Sequence, residues 1–311
     1  MQLAVLTKNG FQIRERAVPE CGPEQVLVKT LSCGICEGDV QHYRNIIENT
    51  SDLDERHEVV LGHEGSGAVA AVGRNVRGFR EGDLVTALSG CYAEYFLAVP
   101  AMLAKLPAEV HPQWAMGEPV ACCVHAGGRF GVRRADRVAF IGSGFMGLVC
   151  MQLAGLQGAQ TLCALDLLPW RLDVARRLGA HQAIVPDGNL AGAGEFDAVV
   201  EAAGTQASLD LASRLVKPHG RLIVVGYHQS GGGMRSVPMA LWNWKAIDVI
   251  NGHVRRDDEK REAMQAGIEL MQAGRLHVRP LVEHYAAERI NDAFNDLLAR
   301  REGLFKAGIA Y

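Results

Sequence analysis

The stretch RVAFIGSGFMGLVCMQLAGLQGAQTLCALD, Arg137 to Asp166, decides the architecture of this 311-residue chain. An apolar run, Arg137 to Ile141, stops at the glycine turn GSGFMG and passes directly into an amphipathic segment that reads as a helix. A second apolar run, TLCAL, ends on Asp166, 24 positions after Gly142. Glycines so spaced let the chain turn tightly and bring backbone N–H groups and a helix N-terminus against a pyrophosphate. A carboxylate at the end of the next strand can accept both hydrogen bonds of an adenosine ribose diol and selects against a 2'-phosphate, so NAD is expected over NADP. Gly142, Gly144, Phe145, Met146, Gly147 and Asp166 are the expected coenzyme contacts. Arg171, five residues on, lies either along the adenine or in solvent on a helix.

Outward from this unit the rhythm persists. WRLDVARRLGA, DAVVEAAG, a helix near SLDLASRLV and GRLIVVGY alternate apolar strands with amphipathic helices, the pattern of a parallel sheet covered on both faces. It runs from about residue 126 to 274. Before it, residues 1–125 read as short β-rich pieces broken by Gly and Pro, an irregular barrel-like domain that the last residues, 275–311, are expected to complete with a helix and a final strand. Gly204, Gly226 and Tyr227 close strands of the second region, so they join the expected coenzyme contacts; His228 is placed near them.

Composition narrows the partners. Hydrophobic residues are 48% and charged residues 22% of the chain, as in a globular protein, and the net charge of -3 lacks the basic footprint of nucleic-acid or anionic-membrane binding. A small neutral or mildly polar substrate is expected. No apolar stretch reaches the ~18 residues of a membrane span, and the N-terminus does not read as a signal peptide, so a cytoplasmic location is expected. The eight cysteines lack the density of a disulfide framework and read as reduced thiols.

Three separated segments carry metal-ligand types: Cys33 and Cys36 in CGICEGD, His63 and Glu64 in GHE, and Glu118 in GEPVACC. Thiolate, imidazole and carboxylate together suit a catalytic zinc that keeps one position open. Taken bare, buried cysteines and a structural histidine would give the same letters.

Gly62, His63, Glu64, Gly65, Gly67, Gly73 and Val76 fit, residue by residue, the zinc signature of the zinc-dependent medium-chain alcohol dehydrogenase family, and the chain resembles that family from end to end. EPVACCVHA resembles the third-ligand region of its polyol dehydrogenase branch. The resemblance implies a GroES-like catalytic domain joined to a doubly wound (Rossmann) coenzyme domain, an α/β protein. It implies one catalytic zinc held by Cys36, His63 and a carboxylate, with Glu64 or Glu118 third, directly or through water, and Cys33 a non-ligand. It implies Asp39 as a residue hydrogen-bonded to a ligand. The activity implied is hydride transfer between a secondary alcohol, polyol or sugar-like hydroxyl and NAD.

Departures from the pattern matter as much. Only Ser89, Gly90 and Cys91 stand where many relatives have a four-cysteine lobe for a structural zinc, so none is expected here. Gly38 stands where relatives carry the Ser or Thr that passes the alcohol proton outward, and Gln41 where some have histidine; His42, Tyr43 or a water are the substitutes. The loop His42 to Glu58 has a polar composition that fits a hydroxylated substrate. Trp242 and Trp244 precede IDVING, an expected edge strand that relatives pair across a dimer, so a homodimer or homotetramer is expected. RRDDEKRE, Arg255 to Glu262, reads as the exposed start of a helix without chemistry. Two competing readings are a zinc-free quinone or enone reductase using NADPH, and a dinucleotide-binding protein without catalysis.

Overall fold

A computed structural model describes residues 1–48, 58–186, 194–229 and 231–311. Along the chain, β1 (Gln2–Thr7), β2 (Gly10–Glu15), β3 (Val26–Gly34), α1 (Glu37–Ile47), β4 (Glu64–Val72), β5 (Leu84–Ala87), β6 (Tyr95–Ala98), β7 (Leu103–Lys105), α2 (Pro112–Ala115) and α3 (Gly117–Gly128) come first. Then follow β8 (Arg137–Ile141), α4 (Phe145–Leu156), β9 (Thr161–Leu165), α5 (Pro169–Arg177), β10 (Gln182–Ile184), β11 (Phe196–Glu201), α6 (Gln206–Leu215), β12 (Val216–Val224), α7 (Met239–Lys245) and β13 (Asp248–Asn251). The chain closes with α8 (Asp257–Gln272), β14 (Val282–Ala286), α9 (Ile290–Leu298) and β15 (Lys306–Ala310).

Contacts divide the chain into two units: Met1–Ala121 with Arg256–Gly274 and Val278–Tyr311, and Cys122–Arg255 with Arg275–His277. This departs from the expected boundaries at residues 122–125, 256–274 and 275–277, of which the second is the largest. Helix α8 belongs to the first unit, packing on β7 and on the turn Pro100–Met102, with Ala263, Met264, Gly267 and Ile268 buried. An amphipathic helix announces that it has an apolar face, not which sheet covers it.

In the first unit a mixed sheet runs β14-β15-β3-β4-β5-β7, with β6 also pairing β3 and the β1-β2 hairpin beside it. Strand β15 lies antiparallel to β3, setting Gly308 opposite Gly34, and β3 lies antiparallel to β4, setting Gly34 opposite Glu64. An aromatic core anchors this arrangement: Phe294 of α9 stands 4.7 Å from Phe11, 5.0 Å from Tyr43 and 5.9 Å from Tyr92, ring centre to ring centre. Burying four such rings stabilises the unit by several kcal/mol, about 1.5–3 kcal/mol for each large side chain removed from water.

The second unit is a six-stranded, wholly parallel sheet ordered β10-β9-β8-β11-β12-β13. Its inner strands β8 and β9 are buried and apolar on both faces, as helices on either side require. Strand order reverses between β8 and β11, which places a switch point at the carboxyl end of β8, beside Gly142. Among the described residues, no helix is long and apolar enough to cross a membrane.

Candidate metal and coenzyme sites

The metal group grows out of the β3–β4 pairing. Strand β3 ends at Gly34, Cys36 caps the N-terminus of α1, and His63 and Glu64 open β4 on the neighbouring strand. One donor atom each from Cys36, His63 and Glu64 lies within 4.8 Å of the others, close to what bonds of about 2.0–2.3 Å to one ion demand. Gly34 is required for this: a Cβ there would collide with Glu64 Oε2. Glu64 Oε2 is buried and receives no hydrogen bond in good geometry, although the Lys306 ammonium lies 2.6 Å from it, so it keeps lone pairs for a metal ion. The mixed thiol, imidazole and carboxylate set therefore fits zinc.

Two lysines that sequence reasoning missed set the charge of this region. Lys306 of β15, buried, stands 2.7 Å from Glu64 Oε1 and 2.6 Å from Oε2, and donates to the Ile35 carbonyl at 2.8 Å. Burial holds the Glu64 carboxyl above its ordinary range despite the Lys306 charge. Burial, and next the Glu64 charge, push the Cys36 thiol up to about 12. Lys260 of α8 holds Glu118 at 2.9 Å. Burial opposes ionisation of Glu118, but Lys260, with His63 and Lys306 behind it, outweighs burial and lowers its pKa. Glu118 stands outside the three-residue group, as does Cys33, whose buried thiol faces the Gly34 carbonyl. Among the described residues no second such group comes together.

Lys260 comes from the run assigned no chemistry. It lies one turn before the buried Met264 on the same helix face, a position from which it was legible. Lys306 was flagged only by a charge inside a short apolar strand.

Asp39, buried in the first turn of α1, has its Oδ1 3.9 Å from His63 Nδ1, beyond hydrogen-bond length. Its Oδ2 accepts the Tyr92 hydroxyl at 2.6 Å, a bond nothing in the sequence announced. Of the candidate proton carriers, Tyr43 is removed: it is buried in the aromatic core and donates to Asn295 at 3.1 Å. Gln41 donates to Asn45 at 2.7 Å, and His42 is exposed. Of the expected substrate loop His42 to Glu58, residues 49–57 lie outside the described residues.

In the second unit, Gly142 takes φ +94, where a side chain would be strained, and a Cβ on Gly147 would collide with the Gly142 carbonyl. The tight strand-to-helix turn thus rests on two residues that only glycine can be. Asp166 Oδ2 accepts the Ser143 N–H at 2.8 Å and Oδ1 the Leu168 N–H at 2.9 Å, tying the carboxylate to the glycine turn with lone pairs to spare. Arg171 is not a solvated helix residue: its Nη1 is 3.6 Å from Asp166 Oδ2 and its guanidinium stacks 5.1 Å from the Trp170 ring centre. Phe145 is buried in the first turn of α4, with Met146 beside it. Gly204 and Gly226 lie beyond the carboxyl ends of β11 and β12, and Tyr227 is exposed.

The comparisons with known proteins agree with this geometry. The alcohol dehydrogenase GroES-like domain matches residues 22–108 and the zinc-binding dehydrogenase domain matches residues 146–272. The sorbitol dehydrogenase of Gallus gallus is 29% identical to this chain over 97% of it and 94% of its own length. Among solved structures, the alcohol dehydrogenase TADH from Thermus sp. ATN1 superposes with a TM-score of 0.85 at 24% identity, covering 100% of this chain and 99% of that one. Galactitol-1-phosphate dehydrogenase from Escherichia coli superposes with a TM-score of 0.86 at 22% identity, covering 100% of both. These last two are likenesses of fold. With the two family domains matched over residues 22–108 and 146–272 and the ligand types gathered at Cys36, His63 and Glu64, the chain belongs to the zinc-binding medium-chain dehydrogenase/reductase family and is an NAD(P)-linked oxidoreductase.

Proposed function

We propose that this enzyme is a zinc-dependent dehydrogenase that moves a hydride between a secondary alcohol, polyol or sugar-like hydroxyl and NAD. The convergence of Cys36, His63 and Glu64 carries the reading. When bound, zinc supplies a Lewis acid that eases loss of the hydroxyl proton, and NAD supplies the hydride acceptor. Cys36, His63 and Glu64 would hold the ion, and Lys306 offsets part of the negative charge that Glu64 brings. Glu118 is our assignment for the carboxylate that meets the ion through water or takes the substrate proton, because Gly38 offers no hydroxyl and Tyr43 is in the core. Lys260 keeps Glu118 in place for that task.

Asp166, bound to the glycine turn with carboxylate lone pairs left to accept from a ribose diol, supports NAD over NADP. Gly142, Gly144, Phe145, Met146, Gly147, Arg171, Gly204, Gly226 and Tyr227 are the residues we assign to the coenzyme. The edge strand β13, with Val249 exposed on it and Trp244 77% exposed in the preceding helix, supports a homo-oligomer joined along that edge. We assign the protein to the cytoplasm. The relatives named for sorbitol and galactitol 1-phosphate support a polyol-like substrate.

The test is a panel of secondary alcohols, polyols, inositols and amino sugars with NAD and with NADP, run on metal-analysed protein before and after zinc removal. About one zinc per chain and hydroxyl-dependent NADH formation that chelation abolishes are the expected results. Zinc-free protein that reduces quinones with NADPH would move the reading to the metal-free branch of the fold.

A further inference from the structure

Glu201 is the last residue of β11 and fully buried, yet the chemistry above does not use it. Its Oε1 accepts the backbone N–H groups of Ala203 at 2.9 Å and Gly204 at 2.8 Å, and its Oε2 stands 2.8 Å from His228 Nε2. Arg235 Nε donates to His228 Nδ1 at 2.9 Å, so Nδ1 is an acceptor and Nε2 carries the hydrogen given to Glu201. Arg235 Nη2 then donates to the Gly204 carbonyl at 3.0 Å. The bonds close a ring from the Gly204 N–H through Glu201, His228 and Arg235 back to the Gly204 carbonyl. Gln206 ties the same two loops again, donating to the Ser236 carbonyl at 2.9 Å and accepting its N–H at 3.0 Å. Both ring nitrogens of His228 are thus engaged by protein, which removes it as an acid or base toward a substrate.

What the ring holds is backbone. Gly204 takes φ +70, and a Cβ on it would lie 2.9 Å from the Tyr227 carbonyl oxygen. A Cβ on Gly226 would lie 2.6 Å from Glu201 Oε2 and collide with the Gly204 nitrogen. On the other side, a Cβ on Gly142 would lie 3.0 Å from the Ala203 nitrogen. Strands β8, β11 and β12 are neighbours, so their carboxyl-end turns form one row, from the glycine turn of β8 to Gly226 and Tyr227. His253 Nε2, 3.3 Å from the Gly226 carbonyl, closes the far end. A dinucleotide whose adenosine half meets Asp166 and whose pyrophosphate meets the Gly142 turn has its nicotinamide half left to the rest of this row.

We propose that Glu201, His228 and Arg235 are positioning residues for the nicotinamide half of the coenzyme, setting the backbone of Gly204 and Gly226, while the adenosine half depends on the Gly142 turn and Asp166. The proposal rests on the coenzyme reading above. Its test measures NADH binding by fluorescence and AMP binding by calorimetry in the zinc-loaded parent, His228→Ala, His228→Gln and Arg235→Gln. His228→Ala leaves a buried carboxylate and a guanidinium without their partner, and the NADH Kd rises about tenfold while that of AMP stays within about twofold. The amide of His228→Gln, both donor and acceptor, recovers most of the loss. Arg235→Gln weakens NADH about fivefold in the same sense and carries the test if His228→Ala does not fold. NADH affinity unchanged in both variants, or AMP affinity falling in parallel, overturns the role of the ring. A parent that binds neither NADH nor AMP overturns the coenzyme reading itself.

Discussion

The metal group and the glycine turn are built in opposite ways. Gly142, Gly144, Gly147 and Asp166 sit within one strand-helix-strand passage, and the bonds that shape them, Ser143 to Asp166 and Leu168 to Asp166, close inside it. The metal group takes Cys36 from the start of α1, just past β3, and the His63–Glu64 pair from the start of the neighbouring β4, and then depends on Lys306, 242 positions from Glu64 in sequence, and on Lys260, 142 positions from Glu118. A ligand site for a phosphate needs backbone N–H groups that a local turn supplies. A site for a dication needs several negative groups crowded together, and crowding them in a buried place needs counter-charges brought from elsewhere in the fold.

Removing a ligand is the strongest way to test that contrast. His63→Ala is expected to lose bound zinc and at least about a thousandfold in kcat/KM, as loss of a metal site removes its Lewis acid. NADH binding should be retained; a variant that keeps zinc and activity would show that the group is not the metal centre. Lys306→Met probes the long-range half. It leaves Glu64 buried without its cation, an expected loss of about 3–5 kcal/mol in metal-free stability, read by denaturant unfolding. Zinc should restore part of that loss, and an unchanged midpoint would sink the counter-charge argument.

Asp166→Ala acts within the local half. We expect the NAD KM to rise by about ten- to a hundredfold, with the ratio of NAD to NADP efficiency falling, at constant zinc content. If NAD efficiency is unchanged, Asp166 serves only the turn. The smallest effect is a slope. Cys36, its thiol pushed up to about 12, keeps its proton across the neutral range in metal-free protein, so metal binding must release it. Zinc affinity is therefore expected to rise with pH, by up to about tenfold per unit between pH 6 and 8, in competition titrations. A flat profile would mean that the thiol is already ionised before the metal arrives.

The legible part of the fold was the part with a period. Parallel strands and helices of the second unit announced themselves by alternation, and β13 by its place after the last helix of that sheet. Helix α8 is equally periodic, yet its contacts group it with the first unit, because period says nothing about partner. In the site, Tyr43 looked like a proton carrier by its nearness to Cys36 in sequence. Seven residues on, two turns of helix carry it about 10 Å along the axis of α1 and into the ring cluster with Phe11 and Phe294. Tyr92, in the bend before β6, gives no signal of its own, and Lys306 only the weak one of a charge in a short apolar strand.

By itself the sequence determined residue types and local spacing: the glycines a tight turn demands, the carboxylate at the next strand end, and the cysteine, histidine and glutamate that suit zinc. Tertiary structure alone decided which charges neutralise which. Lys306 reaches Glu64 through the β15–β3–β4 pairing, and Lys260 reaches Glu118 because α8 packs in the first unit. Arg235 reaches Gly204 through His228 and Glu201 in the same way. The physical reason is range. Backbone geometry is set by neighbours along the chain, whereas an ion pair is set by distance in space and by the burial that makes it matter.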